Sequence, residues 1–188
     1  DTLYPAAGRP AEPLEELIDL RSFARKYLVE EISKNLDAST SSQYLYKLPD
    51  SVSPKLYAGP VWDYDKSLAE DLSMIADPEG FWANLQQTDY TLWSGLYSQP
   101  AFRQEVRDSF FADFLPAAQR LLSEGLVRRE AQGLSASAAM DALRWQGEGY
   151  DPDAFEGGYL AEAEKIEAFL AARMAWLQSE WQAAAPGA

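Results

Sequence analysis

Between residues 44 and 65 the sequence leaves the helical spacing that dominates the rest of this 188-residue chain. Tyr44-Leu45-Tyr46-Lys47-Leu48 and Lys55 to Tyr64 read as two strands, and the polar, proline-containing stretch Pro49 to Pro54 reads as the turn between them, so a β-hairpin is expected. The informative part is the end of the second strand, Gly59-Pro60-Val61-Trp62-Asp63-Tyr64-Asp65. Alternate residues of a strand share a face, which puts Asp63 and Asp65 on one edge and turns Trp62 and Tyr64 to the other, where their rings would be buried. Fixed carboxylates beside an aromatic anchor suit a divalent cation, and magnesium takes only one or two carboxylates, leaving its other positions to water and phosphate oxygens. Asp37, a third carboxylate at the end of a long helix, is placed for a different role in the same site.

Little else in the chain is equipped for chemistry. Histidine and cysteine are both absent, which excludes imidazole bases, thiol nucleophiles, thiolate metal sites and disulfides. A hydrophobic content of 47% suits a globular domain of ordinary core size. The formal net charge of −14 argues against general binding to nucleic acid or to anionic membranes. No apolar run approaches the length of a bilayer span, so membrane insertion is not expected. The N-terminus, Asp1-Thr2-Leu3-Tyr4-Pro5, carries neither an initiator methionine nor a signal-peptide pattern, and the expectation is a segment cut from something longer.

Along the chain, Pro5, Gly8, Pro10 and Pro13 mark a linker, and residues 1–17 are assigned to a linker or the start of a truncated domain. Asp19 is a plausible N-cap for a helix whose apolar stripe is Leu20, Phe23, Ala24, Tyr27, Leu28 and Ile32, ending near Asn35. Residues 37–42 have loop chemistry. After Lys66 the pattern is helical: Thr88 or Asp89 caps a segment with Leu92, Trp93, Leu96 and Tyr97, and Pro100 opens a helix carrying Phe102, Val106, Phe110 and Phe114. Ser135 is read as the cap of a run to Trp145. Gly147, Gly149, Pro152, Gly157 and Gly158 form a loop, and a long helix begins near Tyr159. The fold class is α+β, mainly α-helical with one small hairpin, with one domain over 18–182 and a disordered tail over 183–188.

These residues resemble the CotH family, the spore-coat-protein-H-like proteins that form an atypical branch of the protein-kinase-like fold. The resemblance is carried by Ile18-Asp19-Leu20-Arg21-Ser22-Phe23 through Tyr27-Leu28-Val29-Glu30-Glu31 to Asn35-Leu36-Asp37, and by Tyr44-Leu45-Tyr46-Lys47 followed by Gly59 to Asp65. Trp93, Leu96, Phe102, Arg144-Trp145 and the Phe169 to Leu177 helix add a weaker likeness. Family members carry an N-terminal half with the strands and lysine that grip nucleotide phosphates, and no glycine-rich phosphate loop of either common spacing occurs in this sequence. The chain is therefore expected to be a kinase C-lobe-like portion whose partner is the missing N-terminal lobe of the same parent.

The resemblance implies ATP and Mg2+ or Mn2+ as cofactors and a serine hydroxyl of a protein substrate as acceptor, with the fragment alone expected to be inactive. It gives Asp37 the catalytic role of orienting the hydroxyl and taking its proton, and makes Asp63 a metal ligand. Asp65 is either a second metal contact or a partner that fixes Asp63. Ordinary kinases place an asparagine five residues after the catalytic aspartate to hold a second metal. Here that position is Ser42, and Asn35 is the alternative cofactor-binding residue. Read without the family, Asp37 fits a helix-terminal turn, Asn35 a helix C-cap, and Asp63 and Asp65 a solvated strand edge. Lys47 and Lys55 fit sheet-edge lysines better than phosphate contacts, and Trp62 and Tyr64 fit core anchors. Arg144 before Trp145 fits either a structural partner of a first-helix carboxylate or a substrate-groove residue, the structural reading being preferred, and Glu124, Glu130, Glu162, Glu164 and Glu167 read as a solvated face. The rival function is a non-catalytic interaction module whose partners are coat or surface proteins. A spore-coat or cell-surface location follows from the family alone.

Overall fold

The computed structural model describes residues 13–38, 41–68, 73–84, 91–145 and 158–183. In chain order these form α1 (Leu14–Leu17), α2 (Leu20–Ser33), β1 (Leu45–Lys47), β2 (Leu56–Ala58), α3 (Ser73–Ala76), α4 (Leu92–Tyr97), α5 (Pro100–Ser109), a π-helical turn (Phe110–Phe114), α6 (Leu115–Ser123), α7 (Leu126–Arg144) and α8 (Tyr159–Ala183). The architecture is mainly α with one antiparallel hairpin, as the periodicity predicts.

Helix α2 is the axis of the core. Asp19 caps it, accepting the Ser22 N–H at 2.8 Å, and Lys34 ends it in the left-handed region at φ 48°. Its Phe23, Ala24, Tyr27 and Leu28 are fully buried. Tyr27 stacks on Tyr97 of α4 at 5.2 Å and meets Trp93 and Phe102 edge-on, so one ring ties α2 to α4 and α5. Leu177 and Trp181 of α8 close the same core, Trp181 packing on Phe110 at 4.6 Å. The π-helical turn has a local cause. Pro116 has no N–H for the carbonyl one turn back, and the chain widens just before it, the Leu115 N–H reaching the Phe110 carbonyl instead.

The hairpin is shorter than its pattern. Leu45, Tyr46 and Lys47 pair with Ala58, Tyr57 and Leu56, and the second strand stops at Ala58 rather than running to Tyr64. Gly59 at φ 134° and the cis Gly59–Pro60 peptide turn the chain out of the ladder. Ile18 bridges Leu56 on the outer edge of β2, and the Asp19 N–H bonds the Leu56 carbonyl at 2.8 Å, which fixes the hairpin to the start of α2.

Other departures follow from wider context. Thr91 caps α4 in a reciprocal capping box with Ser94; Thr88 and Asp89 lie outside the described residues. Ser135 caps nothing, because α7 runs unbroken from Leu126 and the Ser135 hydroxyl bonds back to the Gln132 carbonyl. Residues 14–17, within the stretch read as linker, form the single turn α1. Of the glycine-rich loop only Gly158 is described, and of the tail only Ala183, the last residue of α8.

Candidate functional site

The loop after α2 and the segment after β2 lie side by side because their backbones are cross-tied. The Leu36 N–H donates to the Lys66 carbonyl at 2.9 Å, and the Leu68 N–H donates to the Ser33 carbonyl at 2.8 Å. Asp37 follows the first tie directly, and Asp65 immediately precedes it. The loop after α2 is firmly seated. The Trp82 indole donates to the Asn35 carbonyl at 2.7 Å and the Trp93 indole to the Ala38 carbonyl at 2.6 Å, so two tryptophans clamp the turn that carries Asp37. The Asn35 side chain is buried, and its Oδ1 accepts the Asp37 N–H at 3.1 Å in a local Asx-type bond.

Asp63 sits in the left-handed region at φ 64°, a conformation that is costly for a non-glycine residue and needs support from its surroundings. Support comes from Ser42, itself at φ 54°, whose hydroxyl donates to Asp63 Oδ2 at 3.1 Å. Ser42 and Asp63 are therefore brought into contact, Asn35 and Asp37 are brought into contact, and Asp65 is an exposed neighbour on the same segment.

Trp62 is not a core anchor. It is 58% exposed and packs edge-on against Tyr44, with ring centres 6.1 Å apart. The alternation rule fails here because it holds only while the backbone stays extended, and the strand has already ended. Tyr64 does turn inward, to a polar cluster. Its hydroxyl donates to Glu30 Oε1 at 2.7 Å and accepts from Lys26 Nζ at 2.7 Å, and burial together with the Glu30 charge holds the phenol well above its ordinary pKa, so it stays neutral.

Glu30 and Lys26 adjoin the candidate site and carry no role in the sequence analysis. Both are buried, paired at 2.6 Å one turn apart on α2, on the helix flank next to the Phe23–Tyr27 stripe. The signal available was that spacing: a Lys–Glu pair at i, i+4 adjoining a buried stripe. Arg173 was likewise visible only as a charged residue inside the apolar stripe of α8. It, and not Arg144, pairs with a first-helix carboxylate, reaching Glu31 at 2.5 Å with both side chains wholly buried. Arg144 and Trp145 are exposed, the guanidinium lying 5.4 Å from the indole ring of its own neighbour. Glu167 is not simply solvated; it pairs with Arg128 at 2.9 Å and is mostly shielded. Lys47 is exposed and pairs with Asp50 across the hairpin turn.

Among the described residues, no three acidic side chains gather closely enough to hold an ion by themselves. A magnesium or manganese ion asks for less than that. Asp63 and Asp65 are exposed, and Asp63 is held by a hydroxyl. A hard cation that keeps water and takes phosphate oxygens fits such an all-oxygen set of one or two carboxylates.

The family model described as CotH kinase protein matches residues 6–177. The chain belongs to the CotH kinase family. Nothing among curated proteins or solved structures matches it. In this CotH-family chain the two acid-bearing stretches that carry the family's likeness are the two whose backbones are cross-tied between Leu36 and Lys66. No helix among the described residues is long and apolar enough to cross a membrane.

Proposed function

We propose that this CotH-family domain is the hydroxyl- and metal-handling part of a protein kinase that moves the terminal phosphoryl of ATP to a serine of a protein substrate. Asp37 orients the serine hydroxyl and takes its proton, the serine oxygen–phosphorus bond forms, and the bond to the bridging oxygen breaks to release ADP. Asp63 and Asp65 would hold Mg2+ or Mn2+, and Ser42 holds Asp63. The ion, when bound, neutralises charge on the transferring group. The nucleotide-gripping half is supplied by the N-terminal lobe of the same parent, and the substrates are coat or surface proteins, with the parent at the spore coat or cell surface.

The observation that best supports this reading is the Leu36–Lys66 backbone bond, which lays the Asp37 loop beside the Asp63–Asp65 segment. Phosphoryl transfer needs such positioning more than it needs covalent help from the protein. The test is calorimetric titration of Mg2+ and Mn2+, with and without ATP, into the full-length protein and its Asp63→Asn variant, alongside phosphate transfer to a serine substrate. Metal-dependent ATP binding and turnover are expected, with turnover falling about 100-fold or more in the variant, as loss of several kcal/mol of charge stabilisation requires. A folded protein that binds no metal–ATP would instead be a coat-interaction module. Turnover in Asp63→Asn close to that of the parent would remove Asp63 from the role.

A further inference from the structure

Glu30 is closed off from solvent, yet side chains from both loops of the candidate site converge on it. Its side chain is wholly buried. Oε1 accepts from Lys26 Nζ at 2.6 Å, from the Tyr64 hydroxyl at 2.7 Å and from Gln43 Nε2 at 3.2 Å, while Oε2 accepts from Asn35 Nδ2 at 2.9 Å. Three donors converge on Oε1 and one on Oε2, so the carboxylate is crowded at one oxygen and keeps acceptor capacity at the other.

What the donors are attached to is informative. Asn35 holds the Asp37 N–H through its other amide atom. Gln43 follows Ser42, whose hydroxyl holds Asp63. Tyr64 lies between Asp63 and Asp65 in the chain. Lys26 supplies the neutralising charge and lies 5.0 Å from the centre of the Tyr64 ring, so the buried carboxylate is matched without borrowing charge from the site.

We infer that Glu30 is a positioning residue that sets the Asp37 loop and the Asp63–Asp65 segment at a fixed separation by taking one hydrogen bond from each of Asn35, Gln43 and Tyr64. The inference rests on the roles proposed above for Asp37, Asp63 and Asp65. Its chemistry is that of the groups behind metal ligands in general: they aim the ligand, and their loss weakens metal binding or activity about 10- to 100-fold without removing a ligand.

The test uses the full-length protein with Tyr64→Phe, which keeps the ring and deletes one donor, and Glu30→Gln, which keeps the size and presents an amide to donors. Three quantities are read: melting temperature, the Mn2+ concentration for half-maximal ATP turnover, and hydrogen exchange at the Leu36 and Leu68 amides, the two ties between the loops. In Tyr64→Phe the half-saturating Mn2+ should rise about tenfold or more, with turnover recovered at high Mn2+. Exchange at Leu36 and Leu68 should quicken by a similar factor. A fall in melting temperature alone, with Mn2+ dependence and exchange unchanged, would overturn the inference and leave Glu30 an ordinary buried ion-pair member. Should Glu30→Gln fail to fold, Tyr64→Phe decides by itself. Should the parent show no metal-dependent turnover, the kinase reading fails separately. Exchange then judges Glu30: faster exchange at both amides upholds its hold on the loops, and unchanged exchange ends it.

Discussion

Glu30 and Glu31 are consecutive, both wholly buried, and each accepts from four donors, yet they serve opposite sides of the molecule. A helix turns about 100° per residue, so neighbours in sequence face different neighbours in space. Glu30 collects side chains from the loops around Asp37 and Asp63. Glu31 collects parts of the helical body: the Arg173 guanidinium at 2.5 Å, the Tyr27 hydroxyl at 2.9 Å, and the backbone N–H groups of Trp82 and Ala83 at 2.6 and 2.9 Å. Arg173 also spans the carbonyls of Pro78 and Gly80 at 2.8 and 2.7 Å and returns to the Glu31 carbonyl at 2.9 Å, fastening α8 and the 78–83 segment to the end of α2. Burial pushes the Glu31 carboxyl upward and the Arg173 guanidinium downward, and each pulls the other back toward its charged form. The same residue type, at the same burial, thus fastens the helical body in one place and the loops of the candidate site in the other.

The contrast can be broken most forcefully at Arg173. Arg173→Ala strands a buried carboxylate and should cost about 3–5 kcal/mol in urea unfolding, while the Mn2+ dependence of the folded fraction stays that of the parent. A loss under about 1 kcal/mol would mean that Glu31 is not the clamp described. Tyr27→Phe sharpens the comparison at smaller scale. It removes one donor from Glu31 and should lower stability by about 1–3 kcal/mol, again without moving Mn2+ dependence, whereas the matching deletion on Glu30 moves it. Coupling in the Tyr27→Phe, Arg173→Ala double variant would confirm that both act through Glu31. The smallest effect belongs to Arg21→Ala. Arg21 meets Asp113 at 3.1 Å but is largely solvated, so unfolding should shift by only about 0–1 kcal/mol, separating exposed from buried pairing on one helix.

Features with a local cause were readable in the chain. Asp19 capping α2, the stripe Phe23, Ala24, Tyr27 and Leu28, Pro100 opening α5, and α8 starting at Tyr159 all depend on residues within a turn or two. The CotH likeness was legible for the same reason, being written in contiguous stretches such as Gly59 to Asp65. Local signals mislead where the wider chain overrides them: alternation through Trp62 and Tyr64 fails because the ladder ends at Ala58, and a cap at Ser135 fails because the helix already begins at Leu126.

By itself the sequence determined the helical body, the single hairpin, the absence of histidine and cysteine chemistry, and the family, because periodicity, capping and contiguous motifs act over short distances. Only the tertiary structure decided that Ser42 meets Asp63, and that of two adjacent glutamates one answers to the loops of the candidate site and the other to an arginine 142 residues away. Partners that far apart leave no trace in spacing. A buried charge takes whichever donors the packed chain brings within reach, since leaving it unpaired costs far more than any local preference.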